Sequence, residues 1–144
     1  MAGITFAKWS GPDGIEQFII NRTGCKPYSG AGINPRINQQ TTILKSVDDT
    51  YYYDDDMSDV NNVKYTLFGH DGDQDENEKK FNEPLLNENK TRHVYLYRVK
   101  KNGRTSEYVW YGKYQIVDKQ VKRHIGKNRN IRNIVLLSLT KINN

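Results

Sequence analysis

Cysteine is almost absent: Cys25 is the only one among 144 residues. A disulfide framework needs pairs and a cysteine-rich zinc site needs several thiolates, so both are excluded. Long apolar runs are also missing. No stretch approaches the roughly 18 residues that span a bilayer, and the N-terminus carries no apolar leader. The expectation is a soluble, cytoplasmic protein. Only four prolines are present, with no linker-like stretch and no internal repeat, and the length fits one ordinary domain. Apolar residues at 35% leave room for only a modest core. Aromatics are not scarce: ten tyrosines in an 11% aromatic chain argue against disorder.

From residue 91 onward, acids nearly vanish. That segment holds 13 Lys and Arg against Glu107 and Asp118, whereas residues 1–90 hold 9 Lys and Arg against 15 acids. A basic excess of this density is the footprint of a phosphate-binding surface. Its densest part, residues 119–132, has six cations and no acid, and reads as a basic hairpin loop. An acidic first part in such a protein needs a reason: its carboxylates either face away from phosphate or contact something other than the backbone.

Strand signals dominate. Thr41-Thr42-Ile43-Leu44, Val63 to Phe68, His93 to Val99, Glu107 to Val117 and Ile131 to Ile142 are β-branched, aromatic or alternating. Lys101-Asn102-Gly103 suits a hairpin turn, and Gly112 marks a bulge or close approach. Pro12-Asp13-Gly14 opens a helix with apolar residues at 15, 18 and 19, and a second short helix within 76–87 is limited by Pro84. The pattern predicts a mostly-β (α+β) domain, a curved sheet or open β-barrel with about two flanking helices. Residues 1–25 read as an N-terminal helical extension and 26–144 as the motif-bearing core of one domain.

Catalytic constellations are lacking. Asp54-Asp55-Asp56 with Asp59, and Asp71-Gly72-Asp73-Gln74-Asp75, do not follow the spaced calcium loop. His70, His93 and His124 lie far apart without a neighbouring cysteine, which excludes the zinc set of a base deaminase. Cys25 beside Lys26 has no evident base partner. No cofactor or metal is implied.

Several motifs occur in order. Tyr28-Ser29-Gly30-Ala31-Gly32 is a Gly-rich loop ahead of Thr42-Ile43-Leu44. Tyr53-Asp54-Asp55-Asp56 follows, then Lys64-Tyr65-Thr66, with twelve residues from Tyr53 to Tyr65. Asp73-Gln74 and Tyr111-Gly112-Lys113-Tyr114-Gln115-Ile116-Val117 complete the series. From residue 26 to the end the chain resembles the SRA domain (SET- and RING-associated, or YDG), within the PUA-like class. The bacterial form found in McrA-like, modification-dependent restriction endonucleases is the nearest flavour. It departs from the family in carrying Leu67-Phe68-Gly69 where Gly-x-Gly is usual, and in a short 68–74 segment.

The resemblance implies a non-catalytic reader that flips a modified cytosine, 5-methyl or 5-hydroxymethyl, out of double-stranded DNA into an aromatic pocket. Tyr53 and Tyr65 would be the walls, Asp56 the carboxylate reading the base edge, Thr66 a further contact, and Asp55 an alternative to Asp56. Lys26, Tyr28, Ser29, Arg36, Lys122, Lys127, Arg129 and Arg132 would hold the DNA backbone. A fused or partner nuclease is implied for a complete restriction system, and a homodimer stays open. Rival readings are a PUA- or YTH-like reader of RNA or methyladenine, and a nuclease or glycosylase acting on the modified base.

Overall fold

The computed structural model describes residues 3–28, 32–47, 56–68, 73–125 and 131–142. In chain order the elements are β1 (Ile4–Phe6), α1 (Ile15–Thr23), β2 (Ile33–Arg36), β3 (Thr41–Val47), β4 (Asn62–Thr66), α2 (Asn82–Leu86), β5 (His93–Asn102), β6 (Thr105–Ile125) and β7 (Ile131–Lys141). One turn of 3-10 helix, Ile37–Gln39, joins β2 to β3. The strands form one mostly antiparallel sheet of order β2-β3-β5-β6-β7-β4, open rather than closed into a barrel, with β1 paired to β6 off that path. Only β3 and β5 run parallel, and the long crossover such a pair requires carries β4 and α2. Among the described residues, no helix is long and apolar enough to cross a membrane.

Alternation along the strands sorts side chains onto two faces, and both are covered. Leu44, Val63, Tyr65, Leu67, Leu96, Leu137 and Leu139 fill the concave interior. Ile43, Tyr97, Val99 and Trp110 lie on the convex face beneath α1, which contributes Ile15 and Ile19 one helical turn apart. The entry to α1 admits only glycine at position 14, since a Cβ there would lie 2.4 Å from the Trp9 carbonyl oxygen.

A bulge lets β6 serve both ends of the molecule. Leu96 pairs with Gly112 but Tyr97 pairs with Trp110, so Tyr111 is the extra residue, and Gly112 takes φ +101. Before the bulge Val109 and Tyr111 point into the interior; after it Tyr114 and Ile116 do. The strand keeps its inner face apolar only because the inserted residue shifts the phase by one.

Two strands are not legible as strands in the sequence. β1 is three residues long, and β2 contains Asn34 and Pro35 within what reads as a Gly-rich loop. Pro35 is tolerated because β2 is an edge strand. The basic segment 119–132 is not one loop. β6 continues to Ile125 and pairs with β7 as far as Ile125 opposite Ile131, giving a two-stranded arm. Pro84 sits within α2, in the first turn, where its missing N–H costs no helical bond.

One buried group on the convex face works against stability. Tyr97 is fully buried, its hydroxyl has no hydrogen-bond partner among the described residues, and burial pushes its phenol pKa well above the ordinary value. Removing an unsatisfied buried hydroxyl while keeping the ring relieves its desolvation cost. Tyr97→Phe is expected to raise stability by about 1 kcal/mol, read as a higher urea midpoint at unchanged slope.

Candidate nucleic-acid interface

Curling brings the two ends of the sheet order, β2 and β4, to a common seam. Tyr65 on β4 spans it. Its hydroxyl donates across the seam to the Lys45 carbonyl oxygen on β3, at 2.9 Å, and to the Gly32 carbonyl oxygen ahead of β2, at 3.1 Å. The Gly32 oxygen also accepts the Lys45 backbone N–H. A side chain at position 32 would crowd the phenol, since a Cβ there would stand 3.2 Å from its oxygen. The ring is only 4% exposed and belongs to the interior cluster. Tyr65 is therefore held as a strut in this structure, which differs from the openly accessible wall the motif implies. The physical reason is parity: Val63, Tyr65 and Leu67 share the inward face.

Asp56 stands on the other edge of the same strand. Its backbone N–H and carbonyl both pair with Lys64, on the side of β4 not used by β7. The side chain is exposed. Its Oδ1 accepts the Ser58 hydroxyl at 2.6 Å and the Ser58 backbone N–H at 2.9 Å, whereas Oδ2 accepts no bond from a described residue. The Ser58 hydroxyl, then its N–H, hold the carboxyl below the usual carboxylate range, with Lys64 adding to the effect. One oxygen is thus anchored and the other is presented to solvent as an ionised acceptor. The Lys64 ammonium is occupied by the Ser138 hydroxyl, at 2.6 Å.

The remaining expected residues divide. Thr66 is buried, so its side chain is not on the surface. Lys26, Tyr28 and Lys122 are exposed. Arg36 is half-buried, and its Nε donates to the Lys26 carbonyl oxygen at 2.9 Å, tying the two cations together. Arg132 is corrected as an open phosphate contact: it is 5% exposed, on the face of β7 that it shares with the buried Ile134 and opposite to that of Leu137 and Leu139. Tyr53, Asp55, Ser29, Lys127 and Arg129 lie outside the described residues. Among the described residues no three His, Cys, Asp or Glu side chains converge as a metal site.

The motif residue Gln74, and Asn82 on α2, turn out to be buried amide clamps. Gln74 donates to the Leu67 carbonyl oxygen and accepts the Val135 N–H, at 2.7 and 2.8 Å. Asn82 accepts the Phe68 N–H and donates to the carbonyl oxygens of Phe68 and Asp75. Together they fix the chain that leaves β4 against β7. Asn34 does the same for the Gly-rich loop, accepting the Tyr28 N–H at 3.0 Å. No local signal in the sequence marks these roles, because the partners become neighbours only on folding.

Tyr65→Phe removes the strut's polar end while keeping the ring, and is expected to lower stability by about 1–2 kcal/mol in urea unfolding. The lowered Asp56 pKa also links stability to pH. Its stabilising contribution is complete above the unfolded-state carboxyl pKa and is lost as pH falls through the lower folded value. An NMR titration of side-chain carboxyls is expected to place Asp56 below an ordinary aspartate, and Ser58→Ala to bring it back up.

Comparison with known proteins agrees with this architecture. The family model for the ScoMcrA-like SRA domain matches residues 17–144. A search of curated protein sequences gave no match. Among solved structures, the sulfur-binding and SRA domains of ScoMcrA complexed with phosphorothioated DNA share 22% identity at a TM-score of 0.59, over all of this chain and 40% of that one. A modification-dependent restriction endonuclease, TagI, shares 16% at 0.62, over all of this chain and 50% of that one. The SRA domain of SUVH5 in complex with methylated CHH DNA shares 18% at 0.60, covering all of this chain and 95% of that one. The chain thus spans half or less of the length of the first two. At these identities the likeness to solved structures is one of fold, and SRA domains are DNA-binding readers. With the family model matching nearly the whole chain, this protein belongs to the ScoMcrA-like SRA domain family.

Proposed function

We propose that this chain reads DNA carrying a modified cytosine by drawing that nucleotide out of the duplex into the seam between β2 and β4. One observation carries the reading: an exposed, ionised Asp56, with one oxygen that accepts no bond from a described residue, is bridged to the strand that holds Tyr65. A carboxylate acceptor suits the exocyclic amine of cytosine and repels the carbonyl that thymine places there, so Asp56 supplies base identity. Stacking is worth about 1–3 kcal/mol per aromatic contact, enough to offset an unstacking cost of a few kcal/mol.

Tyr53 is the second wall in this proposal. Three residues of chain, at most about 11 Å when extended, separate it from Asp56, so covalent connectivity keeps it near the seam. Asp55 is the alternative reader. Stacking against Tyr65 requires its ring to be uncovered when DNA binds, while the carbonyl tethers hold the phenol end in place. Lys26, Tyr28, Arg36 and Lys122, with Ser29, Lys127 and Arg129, hold the sugar–phosphate backbone. The relatives that are restriction endonucleases place a reader within a longer chain, and we assign strand cleavage to a separate nuclease domain or partner.

A binding panel tests this. The duplexes differ at one cytosine, carrying hydrogen, 5-methyl or 5-hydroxymethyl, alongside methyladenine DNA, phosphorothioate DNA and RNA. A modified cytosine is expected to bind at least about tenfold tighter than the unmodified duplex, a difference of about 1.4 kcal/mol. Asp56→Ala is expected to abolish that ratio and leave a salt-sensitive background. Preference for RNA, methyladenine or phosphorothioate DNA defeats the assignment, as does base release or strand scission by the protein itself.

A further inference from the structure

A groove of about 600 Å³ lies between β2 and the turn ahead of α2, apart from the Asp56 edge of the seam. Tyr28, Arg36, Ile37, Lys79, Lys80 and Phe81 line it. Its lining includes Ile33 on β2, the residue after Gly32, whose carbonyl oxygen accepts the Tyr65 hydroxyl, so the groove adjoins the seam. Two of its wall residues are large and exposed: Tyr28 at 64% and Ile37 at 51%. Both are costly to leave in water unless something covers them.

Its electrostatics are of one sign. Three cations line the groove and, among the described residues, no acid does. The neighbouring carboxylates are already committed. Burial pushes the Glu78 carboxyl up, but bonds from the N–H groups of Asn82, Phe81 and Lys80 outweigh it and hold the pKa low. Glu83 is paired with Lys90 at 2.9 Å. Lys80 stands 5.3 Å from the Phe81 ring centre, and that ring is packed against Phe68 at 4.6 Å, so wall and charge are positioned together.

A cationic channel with aromatic platforms is the arrangement that binds single-stranded nucleic acid: lysines track the phosphates, and rings take the faces of unpaired bases. A folded acidic protein would satisfy the charges but would not need an exposed tyrosine beside them. We propose that this groove binds an unpaired stretch of DNA, with a base stacked on Tyr28 and phosphates held by Arg36, Lys79 and Lys80. The inference rests on the modified-cytosine reading only for the source of that strand, which is the DNA distorted beside the seam.

The test uses the full chain and a fluorescent oligo-dT probe, which contains no cytosine. Wild type is expected to bind it. Lys79→Ala with Lys80→Ala is expected to flatten the slope of log K against log salt by about 1.4, from about 0.7 per phosphate contact on a single strand. Tyr28→Ala is expected to weaken binding about tenfold, with Tyr28→Phe close to wild type. Lys8→Ala with Lys100→Ala, exposed lysines that do not line the groove, serves as the charge control. No oligo-dT binding by wild type, an equal loss of slope in the control, or an unaffected Tyr28→Ala variant overturns the proposal. Failure of the modified-cytosine reading shows itself separately, as wild type that binds oligo-dT yet does not distinguish modified from unmodified duplex.

Discussion

An open sheet that curls on itself leaves two edges facing each other, and the domain depends on how those edges are kept apart and joined. Closing them by a backbone ladder would make a barrel and leave no opening. Here one phenol hydroxyl makes the connection instead, reaching from β4 to carbonyls on both sides of the β2–β3 ladder. A side-chain strut fixes the spacing without consuming the backbone edges. The rest of β4's outer edge is taken by the short bridge to Asp56, which keeps the strand from presenting a bare row of N–H and carbonyl groups. The same two devices that protect the edges also define the seam.

Around the seam, rigidity comes from amides more than from apolar contact. Gln74, Asn82 and Asn34 are each at most 9% exposed, and each bonds to backbone groups that would otherwise be stranded where the chain leaves regular structure. Their reach differs: Asn34 bonds within nine residues of itself, whereas Gln74 reaches 61 residues to Val135. A buried amide in this position has a large cost of removal, because its loss strands several backbone partners at once.

How far the sequence can be read follows from the range of each interaction. The long strands are visible because their alternation is local, and so is the Gly112 bulge. β1 is too short to show a period, and β2 hides behind Asn34 and Pro35. Tyr65 is instructive: the motif points to an open ring, but the alternation of Val63, Tyr65 and Leu67 already places it on the apolar face. Local parity is the stronger signal. Arg132 departs from expectation too: it lies on the face of β7 opposite to Leu137, with Ile134, and that face is covered as well. Gln74 stands out in the sequence only as a motif position, and Asn82 does not stand out at all. Their clamping roles are invisible there, because their partners become neighbours only on folding.

Charge along the chain is a poor map of the surface field for a related reason. The first 90 residues are acidic in composition, yet many of their carboxylates are spent close to home. Glu76 pairs with Lys119 and Glu83 with Lys90, Asp73 accepts the Asn133 N–H, and Asp59 and Glu78 accept local N–H groups. For Glu83, Asp59 and Glu78 these bonds favour the ionised form. Lysines in the same stretch, such as Lys79 and Lys80, stay exposed at the groove, with Lys80 also in the field of Glu78. The stretch that looks repulsive to phosphate in one dimension therefore offers phosphate a cationic face in three. It also contains, in Asp56, a carboxylate with one oxygen pinned and the other turned outward, which is the arrangement needed for contact with a base and not with a backbone.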